Sequence, residues 1–242
     1  MKRIHIVLLL PLLLLLCSAQ PGVMAQTQNT RAAKELVKRG LARFKRGDIE
    51  GAISNYEKAL ELSPQLPDAL FHRGRARRIK GDLNGAIADY EACAELDPQL
   101  VSNNRDIASA YYHRGFIRAN TLELNLALAD FDRAIKYNPA YTEAFLKRGE
   151  AHLILGEFSK AILDFDKSLE LNPYQQLASM VYAGRGYAYL LLDETEAAEK
   201  DFTESIRLNT EGKFFLEFHL RLLEAQMRAV KQRRLANPER VA

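Results

Sequence analysis

Cysteine is nearly absent from this 242-residue chain. It has only Cys17 and Cys93, and Cys17 falls in an apolar N-terminal stretch of the kind removed on export. A processed chain would keep one thiol, so no intramolecular disulfide is available even in an oxidising compartment. A surplus of charge is also missing: 34 Lys and Arg stand against 31 Asp and Glu. With Lys2 and Arg3 removed, 32 basic residues remain and the balance is +1, so no bulk field selects nucleic acid or another polyanion. The apolar run Ile4–Cys17, broken by His5 and Pro11, is short of the about 20 residues that span a bilayer, and no membrane insertion is expected once it is cleaved. Signatures of catalysis are lacking too. There is no H-E-x-x-H, no G-x-S-x-G and no phosphate-cradling glycine loop. His72 and His113 occupy equivalent positions two residues before a glycine, but two histidines fall short of the three or four ligands of a zinc site. Catalytic residues, metal ligands and cofactors are therefore all expected to be none.

Residues 1–25 read as a secretory signal peptide, with Lys2 and Arg3 ahead of the apolar run, Val23 and Ala25 three and one residues before a cut at Gln26, and a second, earlier cut offered by Cys17-Ser18-Ala19. This places the product in the periplasm or an equivalent envelope space. A lipidated Cys17 is the minor alternative, disfavoured by Leu16, where such signals prefer a small residue. Cys93 takes a small-residue position in a repeating pattern, which suits a buried, inert thiol.

What is present is repetition. Arg-Gly recurs with its glycine at Gly40, Gly74, Gly115, Gly149 and Gly186, at intervals of 34, 41, 34 and 37. Twelve residues after each glycine stands Ala52, Ala86, Ala127, Ala161 or Ala198; sixteen after it stands Tyr56, Tyr90, Phe131, Phe165 or Phe202. The nineteenth is small: Ala59, Cys93, Ala134, Ser168 or Ser205. Pro64, Pro98, Pro139 and Pro173 follow in four copies, and Thr210 replaces proline in the fifth. Glycine on one helix admits a second closely, alanine does so from the other side, the aromatic fills the gap beyond, and proline ends the second helix.

This 34-residue pattern of two helices, over about residues 33 to 212, resembles the tetratricopeptide repeat family. The resemblance implies an all-α, right-handed α-solenoid of five helix pairs, closed by a C-terminal capping helix. The expected organisation is a polar stub at 26–32, repeats at 33–66, 67–100, 108–141, 142–175 and 179–212, an insertion at 101–107, a capping helix at 213–235 and a tail at 236–242. The insertion is about two helical turns long and should lengthen a first helix at its start; the three extra residues near Gln176 are expected in a loop. Gly47, Gly81 and Gly156 mark three of the inter-helix turns, while Leu122 and Asp193 stand in the other two, whose turns are expected to be built differently.

The capping reading of the last helix rests on Leu216, Leu220, Leu223, Met227 and Val230, spaced four, three, four and three, because a terminal repeat exposes a flank that must be closed. The rival reading is a homodimer contact, since Phe214, Phe215, Phe218 and Leu222 widen the apolar face.

Arg39, Arg73, Arg114, Arg148 and Arg185 form a ladder that invites an anion-binding role. Sixteen residues after them, however, stand Asn55 and then Asp89, Asp130, Asp164 and Asp201, which is the register of intra-repeat ion pairs. Arg43, Arg77 and Arg118, one turn further on, have no matched acid in the sequence and are left to solvent or a ligand. Asp164 and Asp166 read as part of a solvated face.

In the family, first helices line a concave face that holds extended or helical peptides. Carried over, that face holds Val37, Leu41 and Phe44, then Phe71, Arg75 and Arg78, Tyr112 and Phe116, Leu146, Glu150 and Leu153, and Ala183, Tyr187 and Leu190. The binding groove is assigned to Phe44, Phe71, Arg75, Arg78, Tyr112, Phe116, Glu150 and Tyr187, with aromatic anchors and Arg75 and Arg78 available to an acidic residue. Val37 and Leu41 replace the Lys and Asn with which part of the family grips a chaperone's C-terminal carboxylate, so that ligand is not expected. The expected partner is another protein or peptide segment.

Overall fold

The structure is a computed structural model that describes residues 21–102, 104–209 and 212–236, with the side chains of 21–24, 212–215, 218, 219 and 233–236 left aside. Most of the expected signal segment lies outside the described residues, as do the side chains of Phe214, Phe215 and Phe218. Among the described residues there are twelve helices and no strand, in agreement with the all-α solenoid class. They form two compact units, Met1–Leu100 and Val101–Ala242.

The first unit contains α1 (Pro21–Lys45), α2 (Ile49–Leu62), α3 (Pro67–Lys80) and α4 (Leu83–Leu96). A one-turn helix, α5 (Pro98–Val101), crosses its boundary. Its starts and stops follow local chemistry. Asp48 and Asp82 accept from the amides of Gly51 and Gly85, each at 2.9 Å, and so cap α2 and α4. Pro67 opens α3, where its missing N–H costs nothing. Ser63 and Asp97, each followed by proline, end α2 and α4 in extended conformation near φ −145 and −144, because the proline ring bars its predecessor from the helical region. Ala33, Val37, Ala52, Tyr56 and Ala59 form much of the core. The stretch 26–32 is helical and continuous with α1, not a separate stub.

The second unit pairs α6 (Arg105–Asn120) with α7 (Leu124–Tyr137), α8 (Thr142–Leu155) with α9 (Phe158–Glu170), and α10 (Gln175–Leu190) with α11 (Thr195–Leu208). The last helix, α12 (Gly212–Ala236), packs on α8, α10 and α11. The seven-residue insertion does not lengthen α6 as one rod. The Asn104 side chain accepts from the amides of Asp106 and Ile107 and starts α6 afresh at Arg105. The three extra residues near Gln176 are helical rather than looped, lying in the first turn of α10.

The repeated glycine works by contact. A Cβ on Gly74, Gly115, Gly149 or Gly186 would sit 2.8–2.9 Å from the ring of Tyr90, Phe131, Phe165 or Phe202 respectively, and one on Gly40 would overlap Tyr56. Four of these rings, Tyr56, Tyr90, Phe131 and Phe165, are at most 1% exposed, each worth about 1.5–3 kcal/mol of burial. The nineteenth position has its own rule where it is polar. Cys93 Sγ donates to the Pro67 carbonyl at 3.5 Å, Ser168 Oγ to that of Thr142 at 3.2 Å and Ser205 Oγ to that of Ser179 at 2.9 Å, always 26 residues back. Burial pushes the Cys93 thiol up to about 11.

The turns at Leu122 and Asp193 depart from expectation. Both residues adopt the left-handed conformation, φ 62 and 63, that Gly47, Gly81 and Gly156 adopt at φ 82, 90 and 82. The turn is conserved in shape although the residue is not, at a cost of about 1 kcal/mol for a side chain in that region.

Candidate functional site: the arginine ladder and the inner helix faces

The four Arg–Asp pairs close as two-pronged bridges between the helices of a pair. Arg73 holds Asp89 at 2.9 and 2.6 Å, Arg114 holds Asp130 at 3.0 and 2.7 Å, Arg148 holds Asp164 at 2.9 and 2.6 Å, and Arg185 holds Asp201 at 2.8 and 2.8 Å. All four carboxylates are buried. Asp164 is therefore no part of a solvated face. Four aromatic contacts brace the same guanidiniums: Arg114 lies 5.5 Å from the Tyr111 ring, Arg148 5.4 Å from Phe145, and Arg185 5.4 Å from Tyr182 and 5.9 Å from Tyr189.

Arg77 and Arg118 correct the reading that left them to solvent or a ligand. Arg77 donates to Asp89 at 2.9 Å and Arg118 to Asp130 at 2.7 Å, each joining a carboxylate already held by the ladder arginine. Their acid is the ladder's own, which a search for a separate partner misses. Arg43 faces the helix cap Asp48 at 3.5 Å. In the fourth copy His152 replaces this arginine; its Nδ1 meets Glu157 at 2.5 Å while its Nε2 stands 3.9 Å from Asp164. Here the preceding repeat supplies the extra charge: Arg148 donates to Asp132 and Arg185 to Asp166, both at 2.6 Å. Burial opposes the charge on Arg148, but Asp164 and Asp132 outweigh it and raise its pKa. The Asp201 bond does the same for Arg185 against its burial. Four of the five ladder arginines thus carry charge satisfied by internal carboxylates, whereas Arg39 is exposed and the Asn55 amide, sixteen residues on, donates to the Gly51 carbonyl at 3.0 Å.

The inner helix faces are less committed. In the first unit the Arg75 guanidinium lies 5.4 Å from the Phe44 ring, Arg78 is half-buried one turn along, and Phe71 is buried against His72 and Tyr90. Burial lowers the pKa of His72, and Arg75 adds to the effect. His72 and His113 belong to different units, and among the described residues no three His, Cys, Asp or Glu stand where they could hold a metal.

In the second unit Tyr112 packs on Tyr141 at 4.9 Å, on Phe131 at 6.1 Å and on Phe116 at 6.5 Å. Phe116 remains 38% exposed. Lys147 reaches over it at 5.8 Å and also binds Glu150 at 2.8 Å, so Glu150 comes with a cation attached. Phe116, Lys147, Glu150, Ile154, Met180 and Leu222 line part of a slot of about 260 Å³. Tyr187, also assigned to the groove, is buried, and with Ile154 it faces Met227 and Val230 of α12 across a second cleft. Sequence reasoning missed Lys147, Met180 and this cover. The spacing of Leu216, Leu223 and Val230 was the available signal, but it does not say which surface the stripe meets.

The family comparisons address the same helix pairs. Profiles described as "TPR repeat" match residues 40–77, and profiles described as "Tetratricopeptide repeat" match 67–100, 122–176 and 181–211. The chain belongs to the tetratricopeptide repeat family. A search of curated proteins returned no match. Among solved structures, this repeat protein is similar to MamA at 27% identity, covering 73% of this chain and 91% of that one, with a TM-score of 0.55. It shares its fold with YrrB, described as a TPR protein with an unusual peptide-binding site, at 20% identity, 84% and 99% coverage and a TM-score of 0.59. The fold also matches a tetratricopeptide repeat protein from Parabacteroides merdae at 22% identity, 87% and 79% coverage and a TM-score of 0.55. Among the described residues no helix is long and apolar enough to cross a membrane.

Proposed function

We propose that this repeat protein is a non-enzymatic scaffold or adaptor, exported to the periplasm or an equivalent envelope space, that holds a segment of another protein on the inner faces of its first helices. The observation that carries this reading is Phe116. It is an aromatic ring 38% exposed at the mouth of an apolar slot, backed by Tyr112 and overlain by a cation, and such an anchor with a charged neighbour is what a protein partner grips. In the first unit Phe44, Arg75 and Arg78 serve the same partner chemistry, with the arginines suited to an acidic residue and the buried Phe71 acting only as their support. In the second, Tyr112, Phe116 and Glu150 are the contact residues, and Tyr187 becomes one only where α12 leaves it. The peptide-binding site named for YrrB supports the class of ligand. The envelope setting rests on the apolar N-terminal segment behind Lys2 and Arg3.

A crosslinked pulldown from the envelope fraction tests the reading. The unaltered chain should capture a protein that the Phe116→Ala variant, shown to be folded, loses; equal capture by both rejects the assignment. Export is tested separately, by sequencing the secreted chain, whose new N-terminus should be Gln26. The second reading, a homodimer through the C-terminal helix, is disfavoured because Leu216, Leu223 and Val230 are buried within the chain. A concentration-dependent dimer that vanishes on deleting 213–242 would favour it.

A further inference from the structure

In the second unit the surface that would receive a peptide already has an occupant. Helix α12 packs on the first helices α8 and α10, and its Leu216, Leu223 and Val230 are 8, 2 and 9% exposed, with Leu220 and Met227 packed alongside. These five residues recur every three or four positions, the stripe of an amphipathic helix lying in a groove. The receiving side chains include Ile154, Leu155 and Tyr187.

Several features separate this contact from those inside the repeats. The repeats are tied by buried guanidinium–carboxylate bridges. The Glu217–Arg221 pair at 3.8 Å and the Glu224–Arg228 pair at 3.3 Å lie within α12 itself, and their arginines are 81 and 78% exposed in their side chains. Such pairs hold nothing across the interface and are worth little. Leu222 is left 47% exposed beside the slot that Phe116 and Met180 line, so the apolar surface runs on past the edge of the helix. Fit at the stripe and open surface beside it are the marks of a groove filled by one of several helices able to enter it.

We propose that the inner face of the second unit recognises an amphipathic α-helix of another protein, with large apolar residues spaced four, three, four and three, and that α12 is the chain's own displaceable occupant of that site. This deepens the scaffold reading and rests on it. Tethering gives α12 an effective concentration in the millimolar range, so a partner helix must outcompete it or engage first at Phe116, Met180 and Leu222. The site is thereby closed to weak helices and open to a good match.

The test uses the full chain and a fluorescein-labelled peptide with the sequence of residues 212–236, followed by fluorescence anisotropy. The unaltered chain should bind the peptide weakly, because its own helix fills the site. A Leu223→Asp, Val230→Asp chain, whose helix is unseated, should bind it at least tenfold more tightly, and adding Ile154→Asp on the receiving face should remove the gain. Equal binding by the unaltered and unseated chains overturns the proposal. Should the unseated chain fail to fold, hydrogen exchange on the unaltered chain decides. Amides of 216–230 should exchange at least 100-fold faster than those of α8 and α10, and equal protection would make α12 a fixed cap. A stable dimer of the unaltered chain would make a second copy the occupant and also overturn the proposal. Tighter peptide binding with no Phe116-dependent capture would leave the helix site standing and the scaffold reading failed. The reverse pair of results would do the opposite.

Discussion

Arg118 Nη1 donates to Asp130 Oδ2 at 2.7 Å, on a carboxylate that Arg114 already grips with two bonds. Asp130 is 2% exposed, so one buried acid balances two half-buried guanidiniums, and the three side chains rise or fall together. Asp89 stands between Arg73 and Arg77 in the same way. A carboxylate shared like this is far more sensitive than either of its arginines.

Asp130→Ala should therefore cost about 3–5 kcal/mol, the usual penalty for stripping a buried charge of its partner. Arg118→Ala should cost only about 1–2 kcal/mol, because Arg114 still satisfies the acid. Urea unfolding of both variants would check the ranking, and equal losses would show that the carboxylate is not the shared element.

The outer and inner acids on Arg148 should separate by the same logic. Asp164 is 7% exposed in its side chain and Asp132 is 61% exposed. A double-mutant cycle of Arg148→Ala with Asp164→Ala should return a coupling above about 1 kcal/mol, whereas the cycle with Asp132→Ala should return under about 0.5 kcal/mol, the range of a solvent-exposed pair.

Much of this was readable before any coordinates. The sixteen-residue step from ladder arginine to aspartate is set by one helical hairpin, so a repeated spacing reports a real pairing, and the glycine-to-aromatic contact follows from the same step. What stayed hidden involves either more than one repeat or a backbone state. Asp132 and Asp166 reach the arginine of the next repeat, Arg77 and Arg118 share an acid already assigned, and α12 meets the first helices α8 and α10 as well as α11 of the terminal pair. The left-handed Leu122 and Asp193 were concealed because a leucine or an aspartate does not announce φ near 62, and only the matching length of the turn hints at it. The expected signal segment rests on composition alone, since most of it lies outside the described residues.

Asp193 gives the turn a direct test. It is exposed and holds φ 63, so Asp193→Gly should raise stability by about 0.5–1 kcal/mol through relief of that conformation. Gly81→Ala, at φ 90 with open space around its Cβ position, should lower stability by at least about 1 kcal/mol, since conformation and not crowding opposes the methyl group. A thermal melt of each variant reads both signs.

Cys93 sets a limit on the alkaline side. Burial holds its folded-state pKa at about 11 against an ordinary 9.0. The unfolded chain therefore loses this proton first as pH rises. The stability tied to the neutral thiol is present in full below pH 9 and drains away between about 9 and 11. Cys93→Ser should flatten part of that decline, because a hydroxyl can make the same bond to the Pro67 carbonyl, as Ser168 does to Thr142. At pH 8 a thiol reagent should leave Cys93 of the processed chain untouched until denaturant is added.

The glycine–aromatic contact yields the sharpest test of how the repeats are built. A Cβ at position 149 would stand 2.8 Å from Phe165 Cε1, and Phe165 is fully buried with Gly184 of the next first helix on its other side. The ring is clamped and has nowhere to retreat. Gly149→Ala should cost about 1–3 kcal/mol by overpacking, and Phe165→Leu should cost a comparable amount through the space it empties. Combined, the smaller side chain makes room for the methyl group, and the double variant should lose clearly less than the two losses added. Strict additivity would mean that the glycine is required by the helix backbone itself and not by the ring it faces.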